Sequence, residues 1–177
     1  MKEKVFAKDK TWFTSDTHFG HKNIIKYCNR PYDNIDNMDK SLISNWNSVV
    51  KPGDDIFHLG DFSFNGEKNI SKYSDQLNGK IHLIWGNHDR SEAKSLPSLA
   101  SSSPYQEIKI NEESIILFHY AMKVWNKSFH GSIHLFGHSH GQLEGNKNSV
   151  DVGIDLPEWK YTPVNYNQIK DYLKTKE

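Results

Sequence analysis

A single cysteine in 177 residues, Cys28, leaves nothing for an internal disulfide to form with. The fold therefore cannot rest on cross-links, and the chain suits a reducing compartment, with Cys28 read as a small half-buried helix residue. An excess of either charge is missing too. Lysine plus arginine and aspartate plus glutamate number 22 each, which argues against tight, sequence-independent binding to long nucleic acid but leaves room for a local patch. Apolar runs stop at about six residues, far below the roughly 20 that a bilayer span needs. The opening segment, Met1 to Lys10, has no apolar stretch of the kind a secretory signal carries. No repeat, linker or low-complexity tract divides the chain. The expectation is one cytoplasmic domain, 1–177, large enough for a substantial core and without a membrane partner.

Histidine, by contrast, is plentiful, at ten residues. Half of them fall in five short motifs that each close an apolar run: Asp16-Thr-His18, Gly60-Asp61, Gly86-Asn87-His88-Asp89, His119, and Gly137-His138-Ser139-His140. Short apolar runs closed by Gly or polar residues read as buried strands. Ligand-type residues at strand ends converge on one sheet edge, where open α/β folds place their sites.

The pattern predicts strands at 11–15, 55–59 and 80–85, with helices at 21–28, 36–50 and 67–77 between them. Residues 29–34 read as a turn. Met38, Leu42, Ile43, Trp46 and Val49-Val50 recur at helical spacing, and Lys51-Pro52-Gly53-Asp54 stops that helix. This βαβαβ order argues for a mostly parallel sheet. Serine-rich 91–104 reads as a short helix or surface loop. Short strands near 105–110, 114–118, 132–136 and 149–153 suggest an antiparallel partner sheet, and a last helix, 166–174, takes Asn165 as N-cap.

Asp, His and Asn offer oxygen and nitrogen donors without thiolates, a set suited to manganese, iron, zinc, nickel or cobalt. Seven candidate ligands, Asp16, His18, Asp61, Asn87, His119, His138 and His140, are too many for one ion. They are about right for two ions sharing a bridging carboxylate. Such a pair, ~3.5–4 Å apart, clamps phosphate oxygens and brings the pKa of bound water from about 15.7 to roughly 7. His88 directly follows Asn87, so on an extended backbone it faces away from that ion. It is a candidate general acid for the leaving oxygen, or a phosphate donor. Asp89 either orients that imidazole or, the favoured reading, caps the next helix. Glycines ahead of Asp61, Asn87 and His138 allow turns that a Cβ would obstruct. Asp-x-His or Gly-Asp alone is weak; Gly-Asn-His-Asp and Gly-His-Ser-His are sharper, and the ordered set is strong.

The ordered motifs resemble those of the calcineurin-like metallophosphoesterase superfamily across residues 11–140. The wording around them, Ser15-Asp-Thr-His-Phe-Gly-His-Lys-Asn-Ile-Ile25 and Phe136-Gly-His-Ser-His-Gly141, is similar to a small bacterial and phage branch of phosphoesterases. Val150-Asp-Val-Gly-Ile-Asp155 and Pro163 extend the likeness toward the C-terminus. The resemblance implies a four-layer α/β/β/α sandwich of two mixed sheets with metals at the strand ends. It also implies that Asp16, His18 and His140 hold one ion and Asn87, His119 and His138 the other. Asp61 would bridge, and His88 would take the acid or transition-state role, with Asp61 and Asn87 sharing the catalytic work. Two departures bear on substrate. Protein Ser/Thr phosphatases of the superfamily carry Gly-Asp-x-x-Asp-Arg-Gly, whereas Phe64 and Asn65 stand at the Asp and Arg positions here. A protein phosphatase is therefore disfavoured. Ala121 replaces a proline common in the branch after His119-Tyr120.

His21, Arg30, Tyr120 and His130 are candidate substrate contacts, as is Arg90. For Arg30, Arg90 and His130 the solvated surface is the favoured reading. His58, His82 and His134 fall inside strands and read as packed core histidines. Trp125 and Trp159 fall in loops, where stacking on a nucleobase has no support from the sequence. The function expected is hydrolysis of a small phosphodiester or phosphomonoester, nucleotide-type first, by in-line attack of a metal-bridging hydroxide. Manganese is the favoured ion, with iron, nickel or zinc next. A nuclease acting on DNA or RNA ends, and a metal-stabilised binding protein without activity, are the rivals. The sequence leaves the oligomeric state open.

Overall fold

In a computed structural model, two five-stranded mixed sheets pack face to face, with helices over the outer face of the first. The structure describes residues 4–64, 67–89 and 97–176, with backbone alone for 67–69. The first sheet runs in the order β10 (Val164–Asn165), β2 (Thr11–Thr14), β3 (Asp55–His58), β4 (Lys80–Ile84) and β5 (Ser101–Ser103). Strands β2 to β5 are parallel and β10 is antiparallel. The second sheet runs β1 (Lys4–Val5), β6 (Tyr105–Ile110), β7 (Glu113–Phe118), β8 (Ile133–Phe136), β9 (Ser149–Asp151).

The core between the sheets draws alternate residues from both: Phe13 and Phe57 from one, Ile108, Ile115, Leu117, Leu135 and Val150 from the other. The outer face of the first sheet carries Ile56, Ile81 and Leu83 under α1 (Lys22–Tyr27), α2 (Ile35–Val49) and α3 (Glu67–Ser74). Helix α2 buries Met38, Leu42 and Trp46, a four-residue repeat that keeps one stripe inward, and the Asn34 side chain caps it by accepting from Asn37 N–H. Helix α4 (Tyr166–Lys174) packs against β2, β9 and β10. Its capping box joins Asn165 to Gln168.

Two readings of the residue pattern change, while the two mixed sheets are those the resemblance implies. The second sheet is mixed: β6–β7 is an antiparallel hairpin, but β7–β8 and β8–β9 are parallel. Its hairpin turns at Asn111 and Glu112, both in the left-handed region (φ 49° and 67°), as two-residue hairpins favour. The segments 119–132 and 137–148 have the dozen or so residues a crossover requires, but lack helical periodicity and so resemble turns in the sequence. Serine-rich 101–103 is a strand, held by backbone pairing to β4 and by side-chain bonds from Trp85 and His82 rather than by apolar burial. Trp125 and Trp159 are buried, not presented for stacking. Trp125 leans on His134 beneath the outer face of the second sheet. Among the described residues, no helix is long and apolar enough to cross a membrane.

Candidate metal centre

Strand ends of both sheets meet at one edge. Asp16 follows β2, Asp61 follows β3, Asn87 follows β4, His119 follows β7, and His138 follows β8. A bridge between Ser15 and Gly153 stitches the two sheets together there. Asp16, His18, Asp61, His138 and His140 all adopt positive φ, between 49° and 66°. Left-handed backbone at a non-glycine residue costs of order 1–3 kcal/mol and persists where surrounding contacts impose it, commonly at functional sites. The glycines allow the close approach. A Cβ on Gly60 (φ 97°) would come within 2.6 Å of both the Gly86 backbone and His119 Nδ1, and one on Gly137 would collide with Ser15 and Asp16.

The seven expected ligands form two groups. One ligating atom each from Asp16, His18 and His140 lies within 4.8 Å of the others, and the same holds for Asp61, His119 and His138. Asn87 joins the second group, its Oδ1 3.0 Å from His119 Nε2. Asp61 stands between the groups: Oδ2 is 3.7 Å from His18 Nε2 and 3.6 Å from His119 Nε2. Its other oxygen accepts the His88 backbone N–H at 2.8 Å.

Several of these buried atoms have no protein partner. Asp16 Oδ1 and both His18 nitrogens are buried without a hydrogen bond. Burial raises the Asp16 carboxyl to about 8, with Asp61 and Asp151 adding to the rise and His140 opposing it. Burial, together with the charge of Arg30, drives the His18 imidazole far below its usual range, so it is neutral with a free lone pair. His119 Nδ1 lies 2.6 Å from the Leu59 carbonyl, which can only accept. With its proton there, Nε2 turns a lone pair toward Asn87 Oδ1 and Asp61 Oδ2, both acceptors. Lone pairs facing one another in a buried site lack only a cation. The donor set, hard oxygens with imidazoles, two of which (His119 and His140) are held at Nδ1 by an oxygen acceptor, fits a divalent metal in each group.

The remaining expected residues scatter. The exposed His88 ring lies 5.3 Å from His18, toward the first group rather than over Asn87. His21 borders His18 at 5.4 Å and stacks flat on Phe64 at 4.3 Å, and burial lowers its pKa, assisted by His88. Half-exposed Tyr120 walls the other side, 4.7 Å from the His138 ring. Arg30 is corrected on both counts. It is 4% exposed, not at the surface, and every guanidinium hydrogen is spent inside the protein, so none is left for substrate. His130 is also moved: it shares a depression with Glu113 and Ser114 at the far end of β7 from His119. Asn65 and Arg90 lie outside the described residues. His58, His82 and His134 are packed, hydrogen-bonded core histidines.

Three carboxylates have partners that the sequence reading did not assign. Asp89 receives backbone N–H groups from Asp61, Gly86 and Phe62, so it holds the loops rather than orienting His88, and the helix it was expected to cap lies outside the described residues. Asp151 holds the Gly-His-Ser-His turn through Ser139 Oγ and Gly141 N–H. Asp155 accepts from His140 Nδ1 at 2.7 Å. The only sequence signal for the latter two was the Asp-x-x-x-Asp run after an apolar strand.

Comparisons with known proteins agree with this geometry. Residues 10–153 match the family model described as a calcineurin-like phosphoesterase superfamily domain. An uncharacterized protein of Methanocaldococcus jannaschii is 35% identical over 160 residues, 85% of each chain. The gene 66 protein of Mycobacterium phage L5 is 40% identical over 83 residues, 45% of this chain and 39% of the phage protein. A protein of unknown function from Aquifex aeolicus superposes with TM-score 0.70 at 20% identity, covering 95% of this chain and 99% of its own. At that identity the likeness speaks for the fold alone.

Proposed function

The chain belongs to the calcineurin-like phosphoesterase superfamily, and from that premise we propose that this metal-dependent phosphoesterase uses two divalent ions to hydrolyse a small phosphodiester or phosphomonoester. The observation that carries the two-ion reading is Asp61 Oδ2, poised 3.7 Å from His18 and 3.6 Å from His119. Asp16, His18 and His140 would hold one ion, Asn87, His119 and His138 the other, and Asp61 both. Bound there, divalent ions supply Lewis-acid charge for the phosphate oxygens and a water made acidic enough to lose a proton near pH 7. Manganese is the first candidate, with iron, nickel or zinc behind it.

The protein's own groups supply the rest. His88 is tethered through its backbone N–H to Asp61 and presents an exposed imidazole beside the first group. That ring delivers a proton to the departing ester oxygen, a contribution typically worth 10²–10⁴-fold. The Asn87 amide, exposed next to it, can also grip a phosphate oxygen. His21 and Phe64 form one wall of the opening and Tyr120 the other, which suits a planar substrate such as a nucleotide, cyclic forms included. A phenyl ring at position 64, stacked on His21, leaves no carboxylate there to support a catalytic histidine as in the protein phosphatases. Balanced charge favours small esters over long nucleic acid, and a reducing, cytoplasmic setting suits the lone thiol.

The test is hydrolysis of bis(p-nitrophenyl) phosphate by the manganese-loaded protein, followed by a panel of cyclic, linear and dinucleotides. Turnover that disappears with a chelator and returns with manganese is expected. No hydrolysis of any ester would overturn the proposal. Cleavage of DNA or RNA ends alone, with a steep salt dependence of binding, would replace the small-ester reading with a nuclease.

A further inference from the structure

Behind the first ligand group lies a buried ion pair to which no catalytic part has been given. Arg30 donates from Nε to Asp155 Oδ1 at 2.8 Å and from Nη2 to Asp155 Oδ2 at 2.7 Å. The same Nη2 reaches the Asp16 carbonyl at 2.7 Å, and Nη1 reaches the Thr17 carbonyl at 3.0 Å and Met38 Sδ at 3.5 Å. Asp155 Oδ2 in turn accepts from His140 Nδ1 at 2.7 Å. One guanidinium thus grips the backbone on which Asp16 and His18 stand. Through Asp155 it also fixes the ring of His140.

We propose that Arg30 and Asp155 are positioning residues for the first ion, holding Asp16, His18 and His140 in ligating geometry from behind. The proposal rests on the two-ion reading above. Stability alone does not account for the pair, since buried ion pairs are often replaceable by apolar residues at no cost. Geometry does. The Asp16 and His18 backbone is left-handed (φ 58° and 49°), and the two carbonyl bonds from Arg30 brace that strained turn. The Asp155 bond keeps the His140 proton on Nδ1, which leaves the Nε2 lone pair for metal, as carboxylate–histidine–metal arrangements do. The second group is oriented by different means, with His119 donating to the Leu59 carbonyl. Cys28, His140 and Asp155 also lie within ligating distance of one another. A third cation there is opposed by Arg30, whose charge already occupies both Asp155 oxygens.

The experiment is a manganese titration of chelator-stripped Arg30→Lys and Asp155→Asn, with unbound ion read from its paramagnetic resonance signal and melting followed in parallel. Lysine keeps the charge, but its three donors cannot meet the five acceptor atoms that the guanidinium fork reaches. Wild type should take up two ions. Each variant should keep one ion at wild-type affinity and bind the other 10–100-fold more weakly, the usual cost of losing an outer-shell partner. Two ions at wild-type affinity in both variants would overturn the inference. So would parallel loss of both ions in both variants, because it would mark the pair as general support for the fold. Failure of the wild type itself to bind two ions would instead defeat the two-ion reading.

Discussion

Asp89→Ala tests whether the loops after β3 and β4 are held by one carboxylate. Asp89 is 4% exposed. Its Oδ2 accepts the N–H groups of Gly86 at 2.8 Å and Asp61 at 2.9 Å, and Oδ1 accepts that of Phe62 at 3.1 Å. Truncation leaves three buried donors without acceptors, each worth about 1–3 kcal/mol. Some rehydration through the vacated space and non-additivity bring the sum to about 3–5 kcal/mol, a large share of the 5–15 kcal/mol that folded domains typically possess. Asp89→Asn keeps one acceptor oxygen and should lose roughly half as much. The assay is urea unfolding of the metal-free proteins, followed by the fluorescence of the five tryptophans and fitted by linear extrapolation. Loss of the second ion should accompany the loss of stability, because Asp61 and Asn87 stand on the freed loops. An Asp89→Ala change of less than about 1 kcal/mol would refute the reasoning.

His88→Ala should cut turnover of bis(p-nitrophenyl) phosphate by 10²–10⁴ while metal content stays at the wild-type level; unchanged turnover would remove His88 from the chemistry. Metal affinity should climb with pH between about 6 and 8, because the Asp16 carboxyl, raised by burial to about 8, must shed its proton to ligate. His140 adds to this: burial lowers its pKa, but bonds to Asp155 and Cys28 outweigh that and raise it to about 10. Calorimetry in buffers of different ionisation enthalpy should detect the released protons, and a buffer-independent heat would contradict the assignment. The sign for stability follows. A carboxyl raised from 3.8 toward 8 on folding stabilises the metal-free protein at low pH, and this contribution fades as pH climbs from about 4 to 8. Melting temperatures of chelated protein should fall over that range from this cause, and manganese should remove the decline.

Much of this was legible in the sequence because the chemistry sits at strand ends. An apolar run gives the strand, a polar residue just past it gives the candidate ligand, and a parallel sheet brings successive ends to one edge. Hence Asp16, Asp61, Asn87, His119 and His138 could be placed before any coordinates. Periodicity likewise marked α2, and Asn165 marked the start of α4. What escaped has a common cause. The β7–β8 and β8–β9 crossovers have no repeating apolar stripe, and Ser101–Ser103 pairs through backbone and hydroxyl bonds, so neither leaves a hydrophobic pattern. Arg30 looked like a surface cation because its partners, Asp155 and the Asp16 and Thr17 carbonyls, are remote in sequence or belong to the backbone. Asp89 and Asp151 also act on backbone N–H groups, which no side-chain motif records.

Anomalous diffraction from crystals of the manganese-loaded protein addresses the central claim most directly. Two peaks about 3.5–4 Å apart, with an Asp61 oxygen touching both, His18 and His140 on one and His119 and His138 on the other, is the predicted result. A single peak, or a pair that Asp61 does not join, would contradict it.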